Sequence, residues 1–222
     1  LSISTGEMSE YLKQHFDAVL QRPFPESPKD VMDELANGVR EGLISEQDAV
    51  SIIIVLVGAA GESTSSLMGS AVRILAQDTE LQQRLREQPK LIKRYVEEVV
   101  RLESPFRGHY RAVLRETQLG GVSIPSSARL FLLWAAANRD PTVFSEPDTL
   151  DLERHNTNEH LGFGHGIHFC IGARLARMET RVILEELLQQ TSLFSLDSAF
   201  PAKHIPSIFV RRLGELHLTL SR

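Results

Sequence analysis

The chain has 222 residues, room for one large domain or two small ones, and a length at which a compact fold buries roughly 70% of the unfolded surface. A hydrophobic fraction of 42% and a charged fraction of 24% exclude disordered, collagenous and coiled-coil classes. With 24 basic against 29 acidic residues, a net charge of −5, there is no global basic footprint and no nucleic-acid partner is expected.

Residues 1–22 carry a helical pattern, broken by Pro23, Pro25 and Pro28. The chain opens at Leu1 rather than Met, as a piece of something longer would. A short amphipathic stretch from Val31 to Val39 leads to Gly42 and then to Ser45, with Asp48 three residues on. That is a capping box in which Asp stands for the usual Glu or Gln. From Glu46 the pattern stays helical to about Ala76, roughly 45 Å of helix. Its middle is apolar on all sides, the pattern of a helix buried along its length. The longest apolar run, Ile52 to Ala60, falls short of the ~20 residues that cross a bilayer, so no membrane span is expected, and no signal peptide is visible.

Within that middle, Gly58, Ala59, Ala60 and Gly61 precede Glu62, Ser63 and Thr64. Each interior glycine costs up to ~1 kcal/mol relative to alanine, so something should offset it. One reading is a neighbouring helix packed closely on small residues. The other is a flat ligand against the helix, with the acid and the two hydroxyls facing it.

Two more helical patterns follow, from Glu80 to Glu87 and from Pro89 to Glu103, the second stopped by Ser104-Pro105. Glu98 and Arg101 lie at i and i+3 on one face; taken alone, such a pair is solvated and worth a few tenths of a kcal/mol. His109 to Arg115, a Gly120-Gly121 turn, Val122 to Ile124 and Arg129 to Leu133 read as short strands around turns. A helical turn from Trp134 to Asn138 and a break at Asp140-Pro141 come next. Residues 144–159 form a long meander without periodicity, which in a compact domain is usually functional. A helix follows from about Gly172 to Gln190. The tail predicts a hairpin, Ile208 to Arg211 and Glu215 to Leu220, turning at Gly214, with Leu216, Leu218 and Leu220 on one buried face. The fold class is mainly α with small β-sheets, without internal repeats.

The densest stretch is 160–172, HLGFGHGIHFCIG. Gly162, Gly164, Gly166 and Gly172 crowd around Cys170, the only cysteine, immediately ahead of a helix. No intrachain disulfide can form, which fits a reducing, cytoplasmic setting. Glycine permits backbone conformations and approaches that a Cβ blocks, and free N–H groups with the positive end of a helix dipole favour thiolate. Three chemistries compete. A buried, inert cysteine has no need of the glycines. A zinc site could draw on His160, His165, His168 and Cys170, although structural zinc usually takes paired ligands from two segments. A cysteine nucleophile lacks a local signature. The residues favour a thiolate bound to a metal.

FGHGIHFCIG at 163–172 resembles the heme-binding signature of the cytochrome P-450 monooxygenases at every specified position. In family order, Glu98-Val99-Val100-Arg101 matches the Glu-x-x-Arg motif. Ala135 to Pro141, with Phe144, Pro147 and Arg154, is similar to the segment before the heme loop. GAAGESTSSLMG at 58–69 is similar to the oxygen-activating helix. The resemblance implies heme b (iron protoporphyrin IX) and insertion of one oxygen atom of dioxygen into a small hydrophobic organic substrate. It also implies electrons from a separate ferredoxin or flavodoxin.

By the same resemblance, Cys170 is the axial thiolate of the heme iron, and Phe163, Gly164, Gly166 and Gly172 let the loop lie against the porphyrin. His168 and Arg111 bind propionates, with His109 near a propionate or the pocket wall and Phe106 and Arg107 on the substrate side. Glu98, Arg101 and Arg154 form a buried charge triad. Glu62 with Ser63 or Thr64 delivers protons toward dioxygen. One register puts Glu62 at the family's acid and Ser63 at its usual Thr; another, using Ala60-Gly61, favours Thr64. The first is preferred because it also fits the downstream helix.

The resemblance further implies that residues 1–222 are a partial domain, the C-terminal, heme-loop half of the cytochrome P-450 fold, without the N-terminal helices that roof the heme. Such a fragment is expected to bind heme weakly, in an exposed way, or not at all unless a complementary segment or a second copy covers it, and to self-associate through apolar surface on the long helix. Arg174 and Arg177 are either a docking face for an acidic partner or a solvated basic face. Two rival readings are a heme-free interaction module and a small zinc-binding module of His165, His168 and Cys170.

Overall fold

The structure, a computed structural model, describes residues 2–23 and 27–221, the side chains of residues 2–5 apart. Leu1 and Pro25, which the sequence reading used for a helix start and a break, lie outside the described residues. The chain divides into two compact units, Leu1–Gly61 and Glu62–Arg222.

In the first unit, α1 (Ser2–Leu20) and α2 (Val31–Arg40) pack with the start of α3 (Glu46–Leu75). Leu12, Phe16 and Val19 recur at helical spacing and bury themselves with Ala36, Ala49 and Ile53. Asp30 caps α2 by accepting the Asp33 N–H at 2.9 Å. Arg40 reaches the carbonyls of Val19, Leu20 and Arg22, satisfying the end of α1 with a cation. The expected capping box forms: the Asp48 N–H donates to Ser45 Oγ at 3.0 Å, and Ser45 Oγ donates to Asp48 Oδ2 at 2.6 Å.

The middle of α3 departs from expectation. Residues 57–62 are exposed, as is Val55 at 67%. The helix buries its beginning in the first core and Leu67, Ala71, Val72 and Leu75 in the second. As a whole, α3 is long and apolar enough to cross a membrane by length and composition, which the search for uninterrupted apolar runs missed.

The second unit builds its core from the end of α3, α4 (Thr79–Glu87), α5 (Ile92–Leu102) and α7 (Ala173–Gln190). Asp78 caps α4, accepting from the Leu81 N–H at 2.8 Å. Pro89–Leu91 forms a 3₁₀ turn, so α5 starts at Ile92 rather than at Pro89. Tyr95, fully buried, donates its hydroxyl to the Ala71 carbonyl at 2.6 Å and locks α5 to α3.

Among the described residues there are three two-stranded antiparallel sheets. β1 (His109–Ala112) pairs with β4 (Arg129–Leu132). β2 (Thr117–Leu119), a strand the sequence pattern did not single out, pairs with β3 (Val122–Ile124) across Gly120 and Gly121. Both glycines have positive φ, 56° and 79°, as a two-residue hairpin turn of this hand requires. The predicted C-terminal hairpin does not form. β6 (Leu218–Ser221) pairs instead with β5 (Leu193–Leu196), directly after α7, while Val210 bridges to Phe106 and Leu213 to His204. Leu216 and Leu218 pack on the core, but Leu220 is exposed. Buried Gln82 fixes β5 by donating to the Phe194 carbonyl and accepting the Phe194 N–H. The short helix α6 (Trp134–Ala137) opens the meander, whose only other helical piece among the described residues is the 3₁₀ turn Thr157–Glu159.

Candidate functional site: the cysteine loop and its supports

The site rests on α5. Glu98 and Arg101, which read as a solvated pair from spacing alone, are both fully buried. Arg101 donates Nε and Nη2 to the two Glu98 oxygens at 2.8 and 2.9 Å. Its remaining N–H groups go to the carbonyls of Asn138, Pro147 and Thr149. Arg154 completes the cluster, with Nε 3.2 Å from Glu98 Oε1 and its terminal nitrogens on the carbonyls of Ser145, Glu146 and Thr149. Burial alone would raise the Glu98 carboxyl, but the Arg101 hydrogen bonds, the Asp151 N–H and the two guanidinium charges outweigh it and hold it below the usual range. The meander is thus an irregular backbone whose carbonyls are satisfied by two arginines. Glu146 even holds a left-handed φ of 45° there, a conformation costing a non-glycine residue roughly 1–2 kcal/mol. Phe144, buried, lies beside both guanidiniums.

The cysteine loop leaves this platform at Leu161. Its N–H donates to Asn138 Oδ1 at 2.6 Å, Asn138 Nδ2 donates to Ser104 Oγ, and Ser104 returns to the Val100 carbonyl of α5. At Gly162 the loop touches the helix: an added Cβ would lie 2.5 Å from Val100 Cγ1 and 3.1 Å from the Val100 oxygen. Gly162→Ala is therefore expected to destabilise by ~1–3 kcal/mol through overpacking against a rigid helix backbone. A urea unfolding midpoint equal to that of the parent would contradict this.

Gly164 and Gly166 both take φ of 72°, folding the loop back so that the Cys170 N–H donates to the Phe163 carbonyl at 2.9 Å. The Cys170 carbonyl accepts the Ala173 N–H at 3.2 Å, the first of α7. Cys170 is exposed, next to Ile167 at 98% and Ile171 at 87% exposure. A Cβ at Gly166 would meet nothing within 4 Å. The loop thus presents a free sulfur with open space beside Gly166 and apolar neighbours, which fits a broad, flat ligand.

On its other side the loop is held by a cluster around Glu97. Arg177 of α7 donates Nε and Nη2 to the two Glu97 oxygens at 2.6 and 2.8 Å, and its guanidinium lies 4.3 Å from the Phe163 ring centre. His160 Nε2 lies 3.0 Å from Glu97 Oε2, and His160 Nδ1 accepts the Gly162 N–H at 3.2 Å. Arg177 is accordingly half-buried and ion-paired rather than a freely solvated cation, whereas Arg174 is exposed. A cleft of about 230 Å³ between α5 and α7, lined by Lys93, Val96, Glu97, Arg177, Met178 and Arg181, lies outside the loop. It is smaller than the ~300–1,000 Å³ that encloses an organic ligand.

Among the described residues no group of three His, Cys, Asp or Glu side chains converges to hold a metal ion. Of the zinc candidates, His160 is turned inward to Glu97.

The remaining sequence-predicted residues sit on separate elements. His109 on β1 accepts the Trp134 Nε1–H at Nδ1, 2.8 Å away, leaving its hydrogen on Nε2. Burial and the Arg111 charge hold its pKa below that of a free imidazole. Arg111 on the same strand is exposed and donates to the Tyr110 carbonyl. Phe106 packs beside the His109 ring, and the Arg107 N–H donates to the Phe209 carbonyl. His168 is exposed within the loop. On α3, Glu62 pairs with Arg212 at 2.8 Å, and its carbonyl accepts from Ser66 Oγ; Ser63 and Thr64 are half-buried. Sequence reasoning missed Glu97, Asn138 and Ser104. The signal for Glu97 was the doubled acid Glu97-Glu98, whose members project to different sides of α5.

The cytochrome P450 family model matches residues 88–212. The chain is 41% identical over 218 residues to cytochrome P450 144 of Mycobacterium tuberculosis, covering 98% of this chain and 49% of that protein. It is 36% identical to the biotin biosynthesis cytochrome P450 of Bacillus subtilis, over 92% of this chain and 51% of that one. Among solved structures, P450BioI in complex with hexadec-9Z-enoic acid ligated acyl carrier protein aligns with a TM-score of 0.86 and 34% identity, over 96% of this chain and 53% of that one. A Bacillus megaterium cytochrome P450 in complex with corticosterone gives 0.89 and 29%, over 98% and 57%. The chain spans about half the length of the curated relatives it matches. A charge triad under an irregular meander, a glycine-turned cysteine loop and these likenesses together place the chain in the cytochrome P450 family.

Proposed function

We propose that this chain is the heme-loop portion of a heme-thiolate monooxygenase that inserts one oxygen atom of dioxygen into a small hydrophobic organic substrate. Heme b is the cofactor of the family, and when bound it supplies the reductive activation of dioxygen. The observation that carries the reading is the exposed Cys170 at the foot of α7, its backbone N–H held by the Phe163 carbonyl and its loop open beside Gly166.

In this reading Cys170 would supply the thiolate that binds the heme iron, and Gly164, Gly166 and Gly172 would allow the ring close approach. Phe163 would shield the sulfur. Arg111 and His168 would be donors to the propionates, the guanidinium suited to paired charge-assisted hydrogen bonds, with His109 near a propionate or the pocket wall. Glu62 and either Ser63 or Thr64 hold and pass protons on the oxygen side; the Arg212 pair sets the starting orientation of Glu62. Glu98, Arg101 and Arg154 lock the meander that carries the loop and touch no reactant. Electrons come from a ferredoxin or flavodoxin, with Arg174 available to an acidic partner, and the setting is the cytoplasm. The hydrophobic substrate class is supported by two similar proteins, one in complex with corticosterone and one with a hexadec-9Z-enoic acid ligated acyl carrier protein. Helix α3 is a core helix of the fold in this reading, its charged Glu62 and Arg73 both ion-paired.

Residues 1–222 read as one partial domain, the C-terminal half of the fold. Because the chain spans about half the length of its relatives, the chain alone is expected to hold heme weakly, and the exposed middle of α3 to promote self-association. The test is the spectrum of the reduced, carbon-monoxide-treated chain with hemin in excess. The red-shifted Soret band of a thiolate ligand is expected, and Cys170→Ser should abolish it. A band that persists in Cys170→Ser overturns the assignment.

A further inference from the structure

We infer that Glu97, His160 and Arg177 act together as positioning residues that set the geometry of Cys170, through the Phe163 ring and carbonyl. The inference rests on the heme-thiolate reading for its functional meaning, and on contacts of this chain for its structure.

Glu97 sits beside Glu98 on α5 but serves a different partner set. Its carboxylate takes the full fork of Arg177 and faces the 2%-exposed His160 side chain. The hydrogen-bond directions determine the imidazole tautomer. Nδ1 accepts the Gly162 N–H, so Nε2 carries the hydrogen and donates it to Glu97. That tautomer ties the loop backbone at Gly162 to the same carboxylate that orients Arg177.

Arg177, aimed by two hydrogen bonds, places its flat guanidinium against the Phe163 ring. Phe163 is also the residue whose carbonyl accepts the Cys170 N–H. One carboxylate therefore controls both the entry to the loop, at Gly162, and its closing hydrogen bond, at Cys170. A lysine in place of Arg177 keeps the charge but loses the fork and the stacking plane, so the two are not equivalent here.

The Glu98 cluster does a separate job. It holds the meander, contacts neither Phe163 nor Cys170, and leaves α7 untouched. The Glu97 cluster is the link among α5, the loop and α7, and its burial explains why the α5 face bearing it is not a solvated one.

Amide hydrogen exchange in the heme-free chain tests this directly. In Glu97→Gln and in Arg177→Lys, the Cys170 amide should exchange at least tenfold faster, while the Phe194 amide in β5 keeps its parental rate. A purely structural role would raise both rates together through global unfolding, and that result overturns the inference. So does a Cys170 amide within twofold of the parent in Arg177→Lys, the milder variant. With hemin supplied, the same two variants should lose a several-fold share of the thiolate Soret band, and full retention again counts against the inference. If the parent chain shows no thiolate band at any hemin concentration, the heme reading fails, and the exchange rates still decide the positioning role.

Discussion

Replacing Arg101 with Met is expected to cost ~3–5 kcal/mol, because it strips a buried carboxylate of its two-pronged partner and leaves it only Arg154 and the Asp151 N–H. For a chain of this size such a loss lowers Tm by roughly 6–20 °C. The magnitude follows from how much Arg101 does at once. It carries the counter-charge of Glu98 at zero exposure and satisfies the carbonyls of Asn138, Pro147 and Thr149, which have no helix or sheet to turn to. Removing the pair together, as Glu98→Gln with Arg101→Met, relieves the charge but still orphans the Asn138 and Pro147 carbonyls, each at roughly 1–3 kcal/mol, while Thr149 keeps Arg154. The double variant should therefore remain well below the parent. The contrast is the exposed Arg84–Glu153 pair, 2.6 Å apart with side chains 43% and 66% exposed, where Glu153→Gln should cost less than ~1 kcal/mol. Urea unfolding of the three variants separates these cases. An Arg101→Met midpoint no lower than that of Glu153→Gln would show that the meander is held by something else.

The same residues mark what the sequence could and could not say. Local chemistry was legible: Ser45 and Asp48 cap α3 as their spacing implies, and Gly120-Gly121 turns a hairpin because both positions need positive φ. The cysteine loop was legible too, since its glycines are required by its backbone. Burial was not. Glu98 and Arg101 at i, i+3 look the same on a wet helix face and at the centre of a core, and only the motif resemblance distinguished them. Pairing over long distances failed similarly. Leu218 to Ser221 alternates as a strand, but its partner is Leu193 to Leu196 and not the nearer Ile208 to Arg211, which nothing local encodes. The fully apolar middle of α3 implied burial, yet residues 57–62 are exposed, because composition records what a helix can bury and not what lies against it.

Acid should weaken the fold chiefly through Glu97. Burial by itself would push this carboxyl up, but the His160 and Arg177 hydrogen bonds and the Arg177 charge outweigh burial and bring it from the usual 4.5 down to about 2. In the folded chain Glu97 stays ionised over a range in which the unfolded chain has already taken up a proton. Stability therefore rises with pH across that range. The contribution is complete above the unfolded value near 4.5 and is lost progressively as pH falls toward about 2. At 1.36 kcal/mol per unit the linked stability is about 3 kcal/mol. Glu98 and Glu103, both held below the usual range against their own burial by neighbouring arginines, add to the same slope. Urea unfolding of the parent and of Glu97→Gln, from neutral pH down to about 3, isolates the Glu97 share. The variant should start less stable at neutral pH and lose less on acidification, so the two curves converge. Parallel curves would mean that Glu97 is not the carboxylate that acid must neutralise, and that Arg177 and His160 find no stronger partner folded than unfolded.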